Sequence, residues 1–184
     1  MCRKTVEPIG LAPDGCVILR PHAKKTNLPD SKFPDPDAET RPPDIKGRLL
    51  ALDLGTKRVG VAVSDELQLT TQPLPALKRT NWKKLLRQIT DLQQSFDAQG
   101  VVIGLPLNLD GTEGDAAREA RRIARNLSLS LPLPVFLQDE RLTSQAAEES
   151  LREAGVKWEE LRNRLDGEAA ALILRDFIAR HSTG

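Results

Sequence analysis

The chain has 184 residues, of which 29% are charged and 39% hydrophobic, and its formal net charge at neutral pH is +1. This length allows one ordinary domain with a sizeable core, and the balanced charge excludes a protein whose whole surface is basic. Two cysteines and two histidines give no reason to expect a disulfide framework or a zinc site. No segment is long and apolar enough to cross a membrane.

The first part of the chain differs in composition from the rest. Residues 1–48 hold eight of the 13 prolines and show no sustained helical or strand period. Residues 1–47 are therefore predicted to be a disordered, proline-rich extension, and residues 48–184 the folded domain. Within the extension, Cys16–Leu19 is apolar and forms either an edge strand or no regular structure. The extension lacks the apolar segment of a secretory signal and holds both cysteines, so we expect a cytoplasmic protein.

The domain is organised around residues 49–65, LLALDLGTKRVGVAVSD. Its apolar start is typical of a strand buried on both faces, and this strand ends in Asp53, a carboxylate that needs a partner if it is buried. Gly55 permits a tight turn, after which valines alternate with small residues as in the second strand of a hairpin. The turn places Lys57 and Arg58 beside the acid.

Two chemical interpretations fit this hairpin. In the first, Asp53 binds a divalent cation while Lys57 and Arg58 meet a polynucleotide backbone. In the second, the D-L-G-T turn holds the phosphates of ATP, as in actin-like and sugar-kinase folds. The ATPase interpretation is the weaker one, because that fold needs two such domains and this chain supplies one. A plainer interpretation has Asp53 capping backbone amides and leaves the cations solvated.

The remaining elements predict an α/β domain. After the hairpin the pattern favours strands at 67–77, 100–104 and 134–138, and helices at 82–96, 113–129, 144–155 and 167–180. Asn81 is a suitable N-cap for the first helix, and Pro73 and Pro75 place the third strand at an edge. Three antiparallel strands followed by right-handed crossovers give a mixed five-stranded sheet. Its predicted order is 3-2-1-4-5, with helices on both faces.

This order brings polar residues together at one end of neighbouring strands. Asp53 and Glu140 follow the first and fifth strands, and the loop with Asn108 and Asp110 leaves the fourth strand, which lies between them. Asp166 opens the last predicted helix and can reach the same place from it. Several acids gathered in one place repel each other unless a cation lies among them.

Four segments of the chain resemble the signature blocks of the YqgF (RuvX) family. They are DLGTKRVGVAVSD (53–65), VIGLPLNLDGTEG (102–114), DERLTS (139–144) and DGEAAALIL (166–174). This family has the RNase H-like fold, and its members are described as Holliday junction resolvases and as nucleases that process the precursor of small-subunit ribosomal RNA. The resemblance covers about residues 48–180 and leaves the first 47 residues without a counterpart.

The resemblance implies a catalytic and metal-binding set of three acids. Asp53 corresponds to the metal ligand on the first strand, Glu140 to the second acid, and Asp166 to the acid on the last helix. RNase H-like nucleases use Mg²⁺ or Mn²⁺ ions, and carboxylates suit such hard cations. Neither histidine lies in a motif, so we expect water activated by metal as the nucleophile and no histidine base.

The resemblance also implies a nucleic-acid-binding surface. Lys57, Arg58 and Arg141 are expected to hold phosphates, with Lys78, Arg79 and Lys83 as further candidates, while Asn108 and Asp110 match the family's loop. The chain has four Phe, two Trp and no Tyr, so there is little material for stacking on unpaired bases. Recognition through backbone and shape is therefore expected.

The expected function is hydrolysis of phosphodiester bonds by a metal-dependent endonuclease. The expected substrate is the 5′ end of pre-16S rRNA, with the ribosome as a further partner, and the nearest alternative is resolution of Holliday junctions. A second alternative is a module that binds nucleic acid without cutting it. A junction resolvase needs two related sites, and no strong dimer seam is visible, so a monomer or weak homodimer is expected.

Overall fold

The computed structural model describes residues 16–19, 45–140 and 158–181, and within them the side chains of residues 18–19, 45–140 and 167–181. None of the helices in this part of the chain is long and apolar enough to cross a membrane.

A single mixed sheet forms the centre of the molecule. Its strands are β1 (Cys16–Leu19), β2 (Leu49–Leu54), β3 (Arg58–Ser64), β4 (Thr71–Lys78), β5 (Gly100–Leu105) and β6 (Val135–Asp139). The helices are α1 (Trp82–Phe96), α2 (Asp115–Ser130) and α3 (Trp158–His181). The strand order is β1-β6-β5-β2-β3-β4.

The predicted strand order is confirmed, with one strand added. Strands β2, β3 and β4 form an antiparallel meander, and β5 and β6 join on the other side of β2 in parallel. The prediction of five strands was wrong because β1, from the extension, pairs antiparallel with β6. The sheet therefore has six strands, and Cys16–Leu19 is an edge strand.

The start of β4 also differs from the prediction. Residues 67–70 form a turn and not the beginning of the strand. The Asp65 carboxylate accepts hydrogen bonds from the backbone N–H groups of Leu69 and Thr70, at 2.8 and 2.7 Å. Gln68 adopts a left-handed conformation with φ of 57°. These local bonds compete with extended pairing and delay the strand to Thr71.

Helices cover both faces of the sheet, as predicted. Helices α1 and α2 pack on one face, where Leu50, Leu52 and Ile103 belong to the larger core cluster. Helix α3 packs on the other face, in a second cluster that includes Ala51 and Ala62. Helix α1 begins where predicted, because the Asn81 side chain accepts a hydrogen bond from the backbone N–H of Lys84 at 2.9 Å.

Helix α3 begins earlier than predicted. The sequence favours a start at Asp166, because aspartate is a suitable N-cap. In the structure the helix starts at Trp158, so Asp166 does not open it. Gly167 is tightly packed: a Cβ there would lie 3.0 Å from the Cβ of Pro73 and 3.2 Å from the carbonyl oxygen of Leu74. The glycine lets α3 approach β4 closely. The helix predicted at 144–155 lies outside the described residues.

Candidate active site

Two of the predicted site acids lie at the ends of strands that flank β5. Asp53 is in the last part of β2, and Glu140 directly follows β6. Side chains alternate between the faces of a strand, and Ala51 and Phe136 belong to the core cluster against α3. Asp53 is two residues after Ala51 and Glu140 is four residues after Phe136. Both side chains therefore project to the α3 face of the sheet.

The carboxyl group of Glu140 lies over Gly104 of β5. A Cβ added at Gly104 would fall within 2.7 Å of the Glu140 carboxyl carbon and 2.8 Å of the Ile173 Cδ1 atom. The Glu140 backbone N–H donates to the carbonyl oxygen of Leu105 at 3.2 Å, which holds the residue at the end of β5. Because Gly104 has no side chain, the Glu140 side chain can extend from the end of β6 across β5 towards β2.

The surroundings of Glu140 disfavour its negative charge. Burial is the main cause, and the neighbouring charges of Asp53 and Asp139 add to it, so the pKa of Glu140 is raised from 4.5 to about 7. Asp139 is itself only 6% exposed. Acids that repel each other in a partly buried place fit a divalent cation, because the cation would offset the repulsion.

The third predicted acid, Asp166, lies within α3. Its neighbour Gly167 contacts β4 and lies near the Val61 carbonyl oxygen of β3. The side chain of Asp166 is outside the described part of the chain, and so is the whole of Arg141. Where side chains are described, no three carboxylate, histidine or cysteine groups form a metal-binding set. The meeting of Asp166 with the other two acids stays a prediction.

The loop that leaves β5 is a turn with strong internal bonding. The Asp110 carboxylate accepts from the Thr112 hydroxyl at 2.6 Å and from the Thr112 backbone N–H at 2.9 Å, and the first of these bonds is the main cause of a lowered pKa of Asp110. The Asn108 amide donates to the Thr112 hydroxyl at 2.8 Å, and Gly111 is left-handed with φ of 83°. Asn108 and Asp110 therefore hold the shape of the loop.

Two predicted phosphate-binding cations are exposed on the turn that follows β2. Lys57 and Arg58 are exposed, and Arg58 lies opposite Lys78 in the β3–β4 pairing. Within the described residues none of these three has a carboxylate close enough for an ion pair. Like charges side by side are unfavourable without an anion nearby. This turn is thus a basic surface next to the strand that carries Asp53.

Arg79 has a different environment from these cations. Its guanidinium pairs with the Glu119 carboxylate on α2 and donates to the Gly55 carbonyl oxygen at 3.2 Å. Its backbone N–H also bonds the Lys57 carbonyl oxygen at 3.0 Å. Arg79 therefore joins the turn after β2 to α2, and only 22% of its side chain is exposed.

Sequence reasoning missed two residues of this site. The resemblance assigns a role to Glu140 and none to Asp139, yet the charge of Asp139 acts on Glu140. The sequence pattern predicts Gly104 only as part of a buried strand, yet the Glu140 carboxyl group lies over it. A glycine at the end of an otherwise apolar strand was the available signal, since such glycines often mark a close approach.

The comparison with protein families assigns this domain. The family model RuvX, described as Holliday junction resolvase, matches residues 47–180. The chain belongs to the RuvX family. The match includes both strands that carry the acids, the loop after β5 and helix α3, and it confirms the resemblance drawn from the four sequence blocks.

Curated RuvX relatives cover the same part of the chain. A protein of Syntrophus aciditrophicus, provisionally named pre-16S rRNA nuclease, is 44% identical over 131 residues, which are 71% of this chain and 87% of the relative. A protein of Anaeromyxobacter sp. strain Fw109-5 with the same name is 42% identical over 136 residues, which are 73% of this chain and 99% of the relative. The chain is thus a member of a nuclease family.

A solved structure shows the same fold. Thermus thermophilus RuvC in complex with a Holliday junction substrate aligns with a TM-score of 0.51 and 13% sequence identity, over 74% of this chain and 98% of that one. At this identity the likeness establishes the fold of the RuvX domain, which is the RNase H-like fold that was predicted.

Proposed function

We propose that this protein is a metal-dependent endonuclease that cuts pre-16S rRNA at its 5′ end during ribosome biogenesis. The observation that carries the proposal is the position of Glu140, which is largely buried over Gly104 with Asp53 and Asp139 as charged neighbours. A carboxyl group in such a place raises the free energy of the folded protein when ionised. Arrangements of this kind are typical of functional sites. The names of the curated relatives support the choice of substrate.

Asp53, Glu140 and Asp166 would hold Mg²⁺ or Mn²⁺. The fit rests on the donor set: carboxylate oxygens are the ligands that these cations prefer, and the carboxyl groups of Asp53 and Glu140 lie close enough for the charge of one to act on the other. When bound, the metal would activate water and stabilise the negative charge that develops as the phosphodiester bond breaks. Glu140 must lose its proton to serve as a ligand, and its burial and the neighbouring charges oppose this loss.

The turn after β2 would bind the nucleic-acid backbone. Lys57 and Arg58 are exposed there, and their positive charges lie beside the strand that ends in Asp53. Arg141 directly follows Glu140 and is proposed for the same role. Such contacts set the affinity and its salt dependence but carry no sequence information.

The loop with Asn108 and Asp110 would contribute shape to the site. Both side chains bond Thr112, so the loop is held in one conformation beside the end of β5. We propose that it lies against the substrate backbone, with its exposed residues fixed before binding. This lowers the entropy that binding has to overcome.

Resolution of Holliday junctions is the second candidate function, because the matching family model carries that description. A resolvase makes two related cuts, which calls for a dimer. We propose a monomer or weak homodimer acting in the cytoplasm, with the ribosome as a partner, and this favours the RNA substrate.

Cleavage of two labelled substrates tests the proposal. A pre-16S rRNA fragment and a four-way DNA junction are each incubated with Mn²⁺ and with EDTA. The proteins compared are wild type, Asp53→Asn and, as a matched control, Asp91→Asn, which changes an exposed acid on α1. We expect RNA cleavage with Mn²⁺ that EDTA and Asp53→Asn abolish and Asp91→Asn preserves.

Other outcomes point elsewhere. Cleavage of the junction alone would assign the resolvase function. If wild type and Asp53→Asn bind RNA equally and neither cuts either substrate, the protein is a binding module and the enzymatic proposal is wrong for these substrates.

A further inference from the structure

The part of the sheet that belongs to the family domain has two outer strands, β4 and β6. An outer strand presents unpaired backbone N–H and C=O groups, which can pair with a strand of another molecule. Natural sheets prevent this with prolines, charges or a covering segment. The two outer strands of this domain are protected in different ways.

Strand β4 is protected by its own sequence. It reads TQPLPALK, with Pro73 and Pro75 in its interior and Lys78 at its end. Proline has no N–H to donate, so two prolines two residues apart remove consecutive donors from one side of the strand. A second chain cannot build a regular ladder on this edge.

Strand β6 has no such protection. It reads VFLQD, without proline and without charge before Asp139. With β1 in place, all five residues are buried. Phe136, Leu137 and Gln138 are completely buried. An apolar edge of this kind is the sort that pairs with other strands when it is left open.

In this chain β1 covers that edge. Cys16 pairs with Gln138, and the ladder continues to Leu19 opposite Val135. The side chain of Ile18 packs against the core cluster on the α3 face, and Leu19 packs against the cluster on the other face. Strand β1 therefore adds both backbone pairing and side-chain burial to β6.

This cover is not part of the family domain. The family match begins at residue 47, after β1. The relative from strain Fw109-5 is 99% covered by an alignment of 136 residues, so it has no room for an extension of this length. Compared with that relative, the proline-rich extension is an addition, and β1 is the described part of it that joins the sheet.

We propose that β1 closes the β6 edge within the same molecule and thereby excludes a second copy of this chain from it. Without β1, the partner that fits is another β6, paired antiparallel about a two-fold axis, because the strand is apolar and presents the same groups in both copies. Glu140 follows β6 directly, so a second copy on this edge would lie beside the acids. Strand β1 thereby keeps the protein monomeric. It also leaves the end of the sheet at Glu140 open.

The test is made in the full-length chain by replacing Val17 and Ile18 with proline. Consecutive residues of a strand point their N–H groups in opposite directions, so the pair of substitutions removes the donor that faces β6. The matched control replaces Lys24 and Lys25 with proline, which adds the same residues to the extension outside β1. Hydrogen exchange of the amides at 135–139 reports the cover, and sedimentation velocity over a range of concentrations reports the oligomeric state.

We expect wild type and the Lys24→Pro, Lys25→Pro control to be monomeric, with β6 amides that exchange as slowly as those of β5. For the Val17→Pro, Ile18→Pro variant we expect exchange in β6 to speed up by on the order of tenfold or more at low concentration. At high concentration we expect this variant to form dimers. A peptide of residues 12–22 added in trans is expected to restore the monomer.

Three results would overturn the inference. A dimeric wild-type protein would contradict the excluded copy, whatever the variants do. Unchanged exchange in the proline variant would show that β1 does not cover β6. Faster exchange without any association would show that the edge is covered for stability alone. None of these measurements needs nuclease activity, so a failure of this inference and a failure of the cleavage proposal can be told apart.

Discussion

The carboxyl group of Glu140 occupies the space that a side chain at Gly104 would fill. Glu140 follows β6 and Gly104 lies in β5, so the acid reaches across the neighbouring strand towards Asp53 on β2. The arrangement depends on Gly104, which has no side chain. Gly104 is therefore as much a part of the candidate site as the acids are.

The first prediction concerns Gly104→Ala. The new methyl group would displace the Glu140 carboxyl and press on Ile173, so we expect a loss of about 1–3 kcal/mol in unfolding free energy. We also expect cleavage to fall at least tenfold, because Glu140 can no longer lie beside Asp53. Chemical unfolding and the cleavage assay measure the two effects.

Gly100→Ala is the matched control for this variant. Gly100 is on the same strand, and a Cβ there would lie 3.0 Å from a methyl carbon of Leu49 and 3.2 Å from the ring of Phe136. A methyl group at Gly100 would therefore also be tight against its neighbours, with milder contacts than at Gly104, at the other end of β5. We expect a smaller loss of stability with cleavage preserved. Equal loss of cleavage in both variants would show that Gly104 matters for packing alone.

The second prediction concerns the pH dependence of stability. The pKa of Glu140 is raised from 4.5 to about 7 in the folded protein. Between these values the unfolded chain has released the proton that the folded protein still holds, so the unfolded state binds fewer protons. The contribution of Glu140 to stability therefore falls as the pH rises through this window, by about 3 kcal/mol at most.

Glu140→Gln removes this titration. We expect the variant to be more stable than wild type above pH 7, and the difference to become smallest well below pH 4.5, where the wild-type group is protonated in both states. Glu66→Gln, at an acid with 73% of its side chain exposed, serves as the control and is expected to follow the wild-type curve. Urea unfolding at several pH values gives the unfolding free energy as a function of pH. The prediction is wrong if the curves of Glu140→Gln and wild type run parallel.

The strand order and the placing of Asp53 and Glu140 at one edge followed from the sequence, because right-handed crossovers and short hairpins leave few alternatives. The start of α3 did not follow. Local propensity places a helix start near Gly167, whereas the observed helix runs through it so that α3 can approach β4. A requirement set by packing between distant segments is invisible to local patterns.

Two further features needed the three-dimensional register. Nothing in the sequence of β1 or β6 states that Cys16 lies opposite Gln138, because the two segments are far apart in the chain. The same applies to Gly104, whose role depends on which residue of β6 stands beside it. The sequence supplied the types of residue in the site, but register decides which side chain fills which space.

The third prediction concerns metal binding. At pH 8, Mn²⁺ is expected to raise the unfolding temperature of the wild-type protein, because a ligand that binds only the folded state stabilises it. The gain is about 2.7 kcal/mol when its concentration is 100 times Kd. Asp53→Asn and Glu140→Gln should lose this gain, while Asp91→Asn should keep it. Equal stabilisation of Asp53→Asn and wild type would place the metal elsewhere.

The fourth prediction concerns the basic turn. In an Asp53→Asn background, which prevents cutting, Lys57→Ala and Arg58→Ala should each weaken RNA binding and lower the slope of log K against log salt concentration by about 0.7. Lys46→Ala is the control, since Lys46 is exposed but precedes β2 at its opposite end. Fluorescence anisotropy measures the slopes. A reduction of the same size in Lys46→Ala would mean that binding is spread over the whole surface.

The last prediction separates Arg79 from these cations. Its guanidinium joins the Gly55 carbonyl to the Glu119 carboxylate, and Arg122 also bonds Glu119 at 2.7 Å. Removing Arg79 leaves a partly buried carboxylate and a carbonyl without this donor. Arg79→Ala should therefore lower the unfolding free energy by about 1 kcal/mol, whereas Arg125→Ala, at an exposed site on α2, should change it by less than about 0.5 kcal/mol.

A double-mutant cycle tests whether the stability lost in Arg79→Ala comes from the interaction with Glu119. Arg79→Ala and Glu119→Gln, alone and combined, are expected to show a coupling energy of about 0.5–1 kcal/mol in urea unfolding. The RNA-binding salt slope of Arg79→Ala should stay close to that of the parent protein, because the guanidinium is already held by Glu119 and the Gly55 carbonyl oxygen. A lowered slope with unchanged stability would reverse the assignment and make Arg79 a phosphate ligand like Lys57.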